Sequence, residues 1–129
     1  MRTSYIMNPS RQGAQRAQHI ISTRYYIMQK AHLHLIKWAV KRGYSVAVYG
    51  EGEFDGIHHT YKEIKDNVEA CDMGEMLLLT PSVKQEGKWK RLASFAYMFE
   101  YEQAPDETIY DYAVNDISEA WSAEYNATA

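Results

Sequence analysis

The stretch "VYGEGEFDGIHHTYKEI", from Val48 to Ile64, holds four carboxylates, three glycines and two adjacent histidines. Three chemistries use such residues: a calcium loop, a phosphate loop and an imidazole site for metal or proton transfer. An EF-hand loop needs oxygen ligands at alternate positions, a glycine at the sixth and a bidentate glutamate at the twelfth. Glu51, Glu53, Asp55 and Gly56 match the first half. The twelfth position is Lys62, which repels the ion, and Glu63 comes one residue late. A phosphate loop needs G-x-G-x-x-G at a helix start, or a glycine run closed by Lys-Ser/Thr. Gly50, Gly52 and Gly56 have a different spacing, and the acids between them oppose a phosphate.

Adjacent side chains on a strand point to opposite faces, so His58 and His59 are not expected to share one ion. His32 and His34 diverge in the same way on a helix. No metal site and no cofactor is expected. A carboxylate–histidine pair stays open as an acid–base unit. The surface to test for it is Glu51, Glu53, Asp55, His58, His59 and Glu63, although no nucleophile or oxyanion pattern lies beside it. The simplest reading of the stretch is a hairpin turn, at Gly50 to Gly52 or at Asp55–Gly56, feeding a helix capped by Thr60. Thr60 and Glu63 fit the S/T-x-x-E capping box.

Charge is divided along the chain. There is no acid from Met1 to Gly50 and no lysine or arginine from Glu100 onward, although the net charge is only −3. Helical spacing from Ser10 to Arg42 gathers Ile21, Met28, Leu35 and Ala39 on one side. His32 falls on this apolar stripe and is expected to be structural. Arg16, Lys30, Lys37 and Lys41 fall on roughly the opposite side, with Arg24 and Arg42 nearby. These six are the candidate contacts for an acidic partner or for nucleic acid. The bland alternative is an ordinary solvated face, partly neutralised by the acidic tail. The helix is either one long element, suited to forming a homo-oligomer, or two elements broken at Ser22–Thr23.

These residues need a frame. "GYSVAVYG" reads as a strand bounded by glycines. "TYKEIKDNVEACD" reads as a helix with Ile64, Val68 and Cys71 as its apolar stripe, so Cys71 is expected to be a small core residue. "EMLLLTP" is a strand ended by Pro81. "RLASFAYMFEY" alternates, with Leu92, Ser94, Ala96 and Met98 on one face and Ala93, Phe95, Tyr97 and Phe99 on the other. "TIYDYAV" is a last strand with Ile109, Asp111 and Ala113 on one face. "NDISEAWSAEY" is a terminal helix capped by Asn115 or Asp116, with Glu119 in reach. The pattern predicts an α+β fold in a single domain over 1–129. A long N-terminal helix, or two, precedes an antiparallel sheet of about five strands with helices packed on one face. The basic helical segment covers 10–42 and the α+β core 44–126.

Only one cysteine is present, so no intrachain disulfide forms. With no hydrophobic signal core and no membrane-length apolar run, a cytoplasmic protein is expected. Eleven tyrosines against three phenylalanines suit half-buried faces and binding surfaces.

"GYSVAVYGEGEF", "TYKEIKDNVEACD", the following strand pair and "DETIYDYAVND" resemble small uncharacterised accessory proteins of bacteriophages and prophages. The resemblance covers roughly 43–116. It carries structural motifs and no catalytic signature. It implies a small non-enzymatic protein in the host cytoplasm that binds and modulates or inhibits a host protein or defence system. One alternative is nucleic-acid binding through the basic helix, against which stands the sequence pI of about 5.9. The other is a small enzyme or ligand-sequestering protein with its site at a subunit interface.

Overall fold

The computed structural model describes residues 28–128. The expectations placed on residues 10–27, including Arg16, Arg24, the break at Ser22–Thr23 and oligomerisation through that segment, lie outside the described residues.

The first helix, α1, is Ala31–Lys41. A helix running unbroken through residue 30 is therefore corrected. Lys30 is extended at φ −61° and ψ 139°, and its carbonyl accepts the first-turn amides of Leu33 and His34. The preceding carbonyl, Gln29, is taken by the Tyr125 hydroxyl at 2.7 Å instead of by a helical amide. At the other end Gly43 adopts φ +82°. Its amide bonds to the Val40 carbonyl and the Tyr44 amide to the Ala39 carbonyl. That pair is a Schellman motif, and the Tyr44 ring packs on Trp38 as its hydrophobic contact.

Strands β1 (Ser45–Gly50) and β2 (Glu53–His58) follow. Gly50 pairs with Glu53, which leaves Glu51–Gly52 as a two-residue turn. Both turn residues have positive φ, 50° and 87°, the type I′ geometry that suits the strand twist. Of the two expected turns, the glycine-flanked one forms. Gly56 lies instead at an irregularity in the β1–β2 pairing. The capped helix α2 is Tyr61–Val68, and β3 is Met73–Pro81. A hairpin leads to β4, Trp89–Met98. A single 3-10 turn, Pro105–Thr108, precedes β5, Ile109–Tyr112, and α3 is Asp116–Asn126.

The five strands form one antiparallel sheet in the order β2-β1-β3-β4-β5. Strand alternation decides which face is core. Val46 and Val48, Met76 and Leu78, and Ala93, Phe95 and Tyr97 point one way. They join Leu35, Ile36 and Ala39 of α1, Ile64 and Val68 of α2, and Trp121 and Tyr125 of α3 in one buried cluster. All three α-helices of the described residues therefore lie on one face. The opposite face bears Ala47, Leu77, Ser94 and Ala96, with Phe54, Met73 and Tyr110 exposed at its end. No helix of the described residues crosses it.

Two further expectations are corrected. Ile109 and Asp111 do not share a face. Tyr97 pairs with Ile109 but Ala96 with Asp111, so Tyr110 is an extra residue. This bulge turns Ile109 into the core and leaves Asp111 exposed. Cys71 is not on the stripe of α2, which ends at Val68. It stands in the following turn, half-buried.

Candidate functional site

The Schellman stop fixes the C-terminal end of α1, where a groove opens between the three helices. α1 contributes His34, Lys37, Trp38, Val40 and Lys41, with Arg42 just beyond it; α2 adds Tyr61 and α3 adds Glu124. Its volume is about 390 Å³, within the usual range for ligand clefts of roughly 300–1,000 Å³. His34, Lys37, Trp38 and Lys41 are spaced i, i+3, i+4 and i+7, so one flank of α1 supplies most of the lining.

Each aromatic of the groove carries a cation. The Arg42 guanidinium lies 4.1 Å from the Trp38 ring centre, and Lys37 Nζ lies 5.8 Å from that of Tyr61. Glu124 Oε2 accepts from Trp38 Nε1 at 3.0 Å and from Arg42 Nη2 at 2.8 Å. The Trp38 bond, more than the Arg42 one, holds the Glu124 carboxyl below its ordinary range. An exposed ion pair of this kind is screened by solvent and contributes little. Arg42 is thus placed at least as much by the Trp38 face as by the carboxylate. Lys41 has no partner among the described residues.

Deeper in, His34 is tied to α3. Its Nδ1 accepts from Trp121 Nε1 at 3.0 Å, and its ring meets Tyr125 edge-on at 5.1 Å. Burial lowers the His34 pKa, against the opposing pull of Glu124 and with a smaller push from Lys37. At neutral pH the imidazole is uncharged.

The six basic candidates therefore separate. Lys37, Lys41 and Arg42 meet at the groove. Lys30, non-helical, stands at the opposite end of α1, close enough to His32 to disfavour its protonation. Arg16 and Arg24 lie outside the described residues. Trp38, Tyr61, His34 and Glu124 were missed as site residues. The available signal was the i, i+3, i+4, i+7 run in "HLIKWAVK".

In the acidic and histidine surface, Asp55, His58, His59 and Glu63 are each bonded to groups close by in the chain. Glu51 and Glu53 are exposed at the turn. Asp55 Oδ2 accepts the Gly50 amide at 3.1 Å. His58 Nε2 bonds to the Asp55 carbonyl at 2.8 Å, while His59 Nδ1 bonds to Ser45 Oγ at 2.8 Å. Thr60 Oγ1 accepts the Glu63 amide at 3.2 Å, and Glu63 Oε1 reaches the His59 amide at 3.5 Å. The Thr60 cap forms; the returning glutamate bonds one residue further out than a capping box would have it. That His59 amide, followed by Thr60, holds the Glu63 carboxyl below its usual range. Among the described residues no three His, Cys, Asp or Glu side chains converge to hold a metal. The Cys71 thiol is pushed up by burial and then by Glu51 and Asp55, so it stays protonated.

His32 is structural, as its place on the apolar stripe predicts. It is buried, with Nε2 2.7 Å from Glu69 Oε2. Burial outweighs that carboxylate and lowers the imidazole pKa. The contact is then a hydrogen bond from a neutral ring. Burial pushes Glu69 up, but bonds from His32 and Lys65 more than offset this and leave it below its ordinary value. The neighbouring core holds one more unusual group, the Tyr97 hydroxyl, buried with no hydrogen-bond partner among the described residues and pushed up to about 12, chiefly by burial.

Among the described residues no helix is long and apolar enough to cross a membrane. No family model, no curated protein and no solved structure matches the chain.

Proposed function

We propose that this chain is a non-enzymatic accessory protein that binds and modulates a host protein, and that the groove between the helices is its docking site for a negatively charged segment of that partner. The observation that carries this reading is the groove's make-up. Among the described residues, its floor is Trp38, Val40 and Tyr61, its rim holds three cations, and its only carboxylate is already bonded to Arg42 and Trp38. An apolar floor with a charged rim is the usual anatomy of a protein-binding patch. The host and modulatory parts rest on the resemblance to phage proteins alone.

The groove favours a protein over nucleic acid. Single-strand binders offer free aromatic faces to successive bases. Here Trp38 is only 4% exposed, and both groove rings are faced by cations. Phosphate binding also draws its strength from many cations, whereas among the described residues only Lys37 and Lys41 lack a carboxylate partner at this site.

The test compares the wild-type chain with a Lys37→Glu/Lys41→Glu variant as bait in bacterial lysate, read by mass spectrometry. The expected result is a protein held by the wild type and by His58→Ala, and lost from the charge-reversed groove. Recovery of the same proteins by both baits overturns the docking site. Salt-sensitive retardation of DNA or RNA that the double variant abolishes would favour nucleic acid instead.

A further inference from the structure

The docking reading says that the groove takes negative charge; its hydrogen-bonding pattern says more. The indole N–H of Trp121 can only donate. It points at His34 Nδ1 from 3.0 Å, so that nitrogen must present its lone pair. A neutral imidazole then carries its proton on Nε2. Protonating the ring would set two N–H groups against each other beside a Trp121 that is only 3% exposed. The tautomer is locked from α3.

The locked N–H is open. Among the described residues the only buried side-chain nitrogens or oxygens without a partner are His32 Nδ1 and Tyr97 Oη. His34 Nε2 has no partner among the described residues and is not one of them, and His34 lines the groove. On the same flank of α1 stand the ammonium groups of Lys37 and Lys41. Among the described residues, the polar groups of this flank that lack a hydrogen-bonding partner are all donors, and they border an apolar floor.

We propose that the groove recognises an oxyanion, a carboxylate or a phosphoryl group, borne on an apolar body, and that uncharged His34 is the residue that determines this specificity. Lys37 and Lys41 supply the charge, while His34 supplies a donor of fixed direction. Arg42, despite its charge, is a positioning residue, held on Trp38 and Glu124. The proposal rests on the docking reading but is tested without the partner.

The probes are phenylacetate, phenyl phosphate and the neutral phenylacetamide, titrated into the full chain. Binding is read from the NMR signals of the His34 ring and the Trp121 indole. The two anions are expected to shift both signals, and the amide to bind at least about tenfold more weakly, as expected when a charge-assisted hydrogen bond is lost. Phenylacetate binding alone assigns the source to a carboxylate, and phenyl phosphate alone to a phosphorylated group. His34→Leu should weaken the anions about tenfold or more, whereas His34→Gln, which keeps an N–H, should retain most of the affinity. Should His34→Leu not fold, Trp121→Phe carries the test. It frees Nδ1, divides the proton between the two nitrogens and lowers anion affinity. Equal binding of amide and anions, or anion affinity unchanged in folded His34→Leu or Trp121→Phe, overturns the proposal. Anion binding with no groove-dependent partner would instead overturn the docking reading and leave this one standing. Loss of the partner from the charge-reversed variant, with no preference among the probes, would do the reverse.

Discussion

The hairpin and the helical groove are both dense in ionisable side chains, acidic in the first and mainly basic in the second, and use them in opposite ways. In the β1–β2 hairpin, Asp55, His58, His59 and Glu63 each bond to backbone or to a serine within fifteen residues along the chain. They shape the turn and start α2. In the groove, Glu124 reaches back across more than eighty residues to Trp38 and Arg42, and Trp121 does the same to His34. Among the described residues, other donors of the groove, those of His34 Nε2, Lys37 and Lys41, are left without a hydrogen-bond acceptor. Density of polar residues along a sequence therefore says little about function. What matters is whether local backbone groups have already taken them.

The sharpest way to break the comparison is Trp121→Ala. Trp121 is buried, stacks on Tyr125 at 5.5 Å and meets Phe95 edge-on at 5.5 Å. Its removal should cost about 3–5 kcal/mol in denaturant unfolding and should collapse the groove. A loss below about 1 kcal/mol would mean that α3 is not the groove's support.

A second test uses acid. His32 and His34 are both held below their ordinary value of 6.5, chiefly by burial. The charged groups acting on them are Glu69, Lys30 and Lys65 for the first and Glu124 and Lys37 for the second. Below 6.5 the unfolded chain binds more protons than the folded one, so stability must fall as pH drops through that value. Urea midpoints between about pH 7.5 and 5.5 should decline before any carboxylate titrates. His34→Gln should keep only the part due to His32. A flat profile would mean that both rings are solvated in the folded chain.

The smallest effect is expected at the hairpin. His58→Ala and His59→Ala each remove one partly buried hydrogen bond and should cost about 0.5–1.5 kcal/mol, with no change in partner capture. Loss of capture without loss of stability would move the functional surface to the hairpin.

Strand alternation, Gly43, the Thr60 cap and the order of elements were all legible in the sequence, because each is encoded within a few residues. The register of "RLASFAYMF" held for the same reason. The Tyr110 bulge was not legible, since nothing in "TIYDY" marks which residue lacks a partner on β4. Of the two expected caps, Asn115 and Asp116, Asn115 is the one that forms, and its reciprocal partner is Ser118 at 2.9 Å and not Glu119. The groove was half legible. "KWAVKR" places Lys37, Lys41 and Arg42 near one another, but the tryptophan beneath them and the glutamate opposite depend on how α3 docks. The expected continuity of the helix through Lys30 failed for the same kind of reason: the Tyr125 hydroxyl that captures the Gln29 carbonyl lies 96 positions away.

The pairing irregularities at the two ends of the strand order set a limit on how this protein can meet others. β2 is an edge strand whose pairing with β1 shifts near Gly56 and whose outer end carries Glu53 and Asp55. β5, the other edge, has four residues and the Tyr110 bulge. Bulged, short or charged edges resist the addition of a foreign strand. The backbone is thereby withheld as a template for aggregation or for an incoming peptide, and recognition is left to side chains.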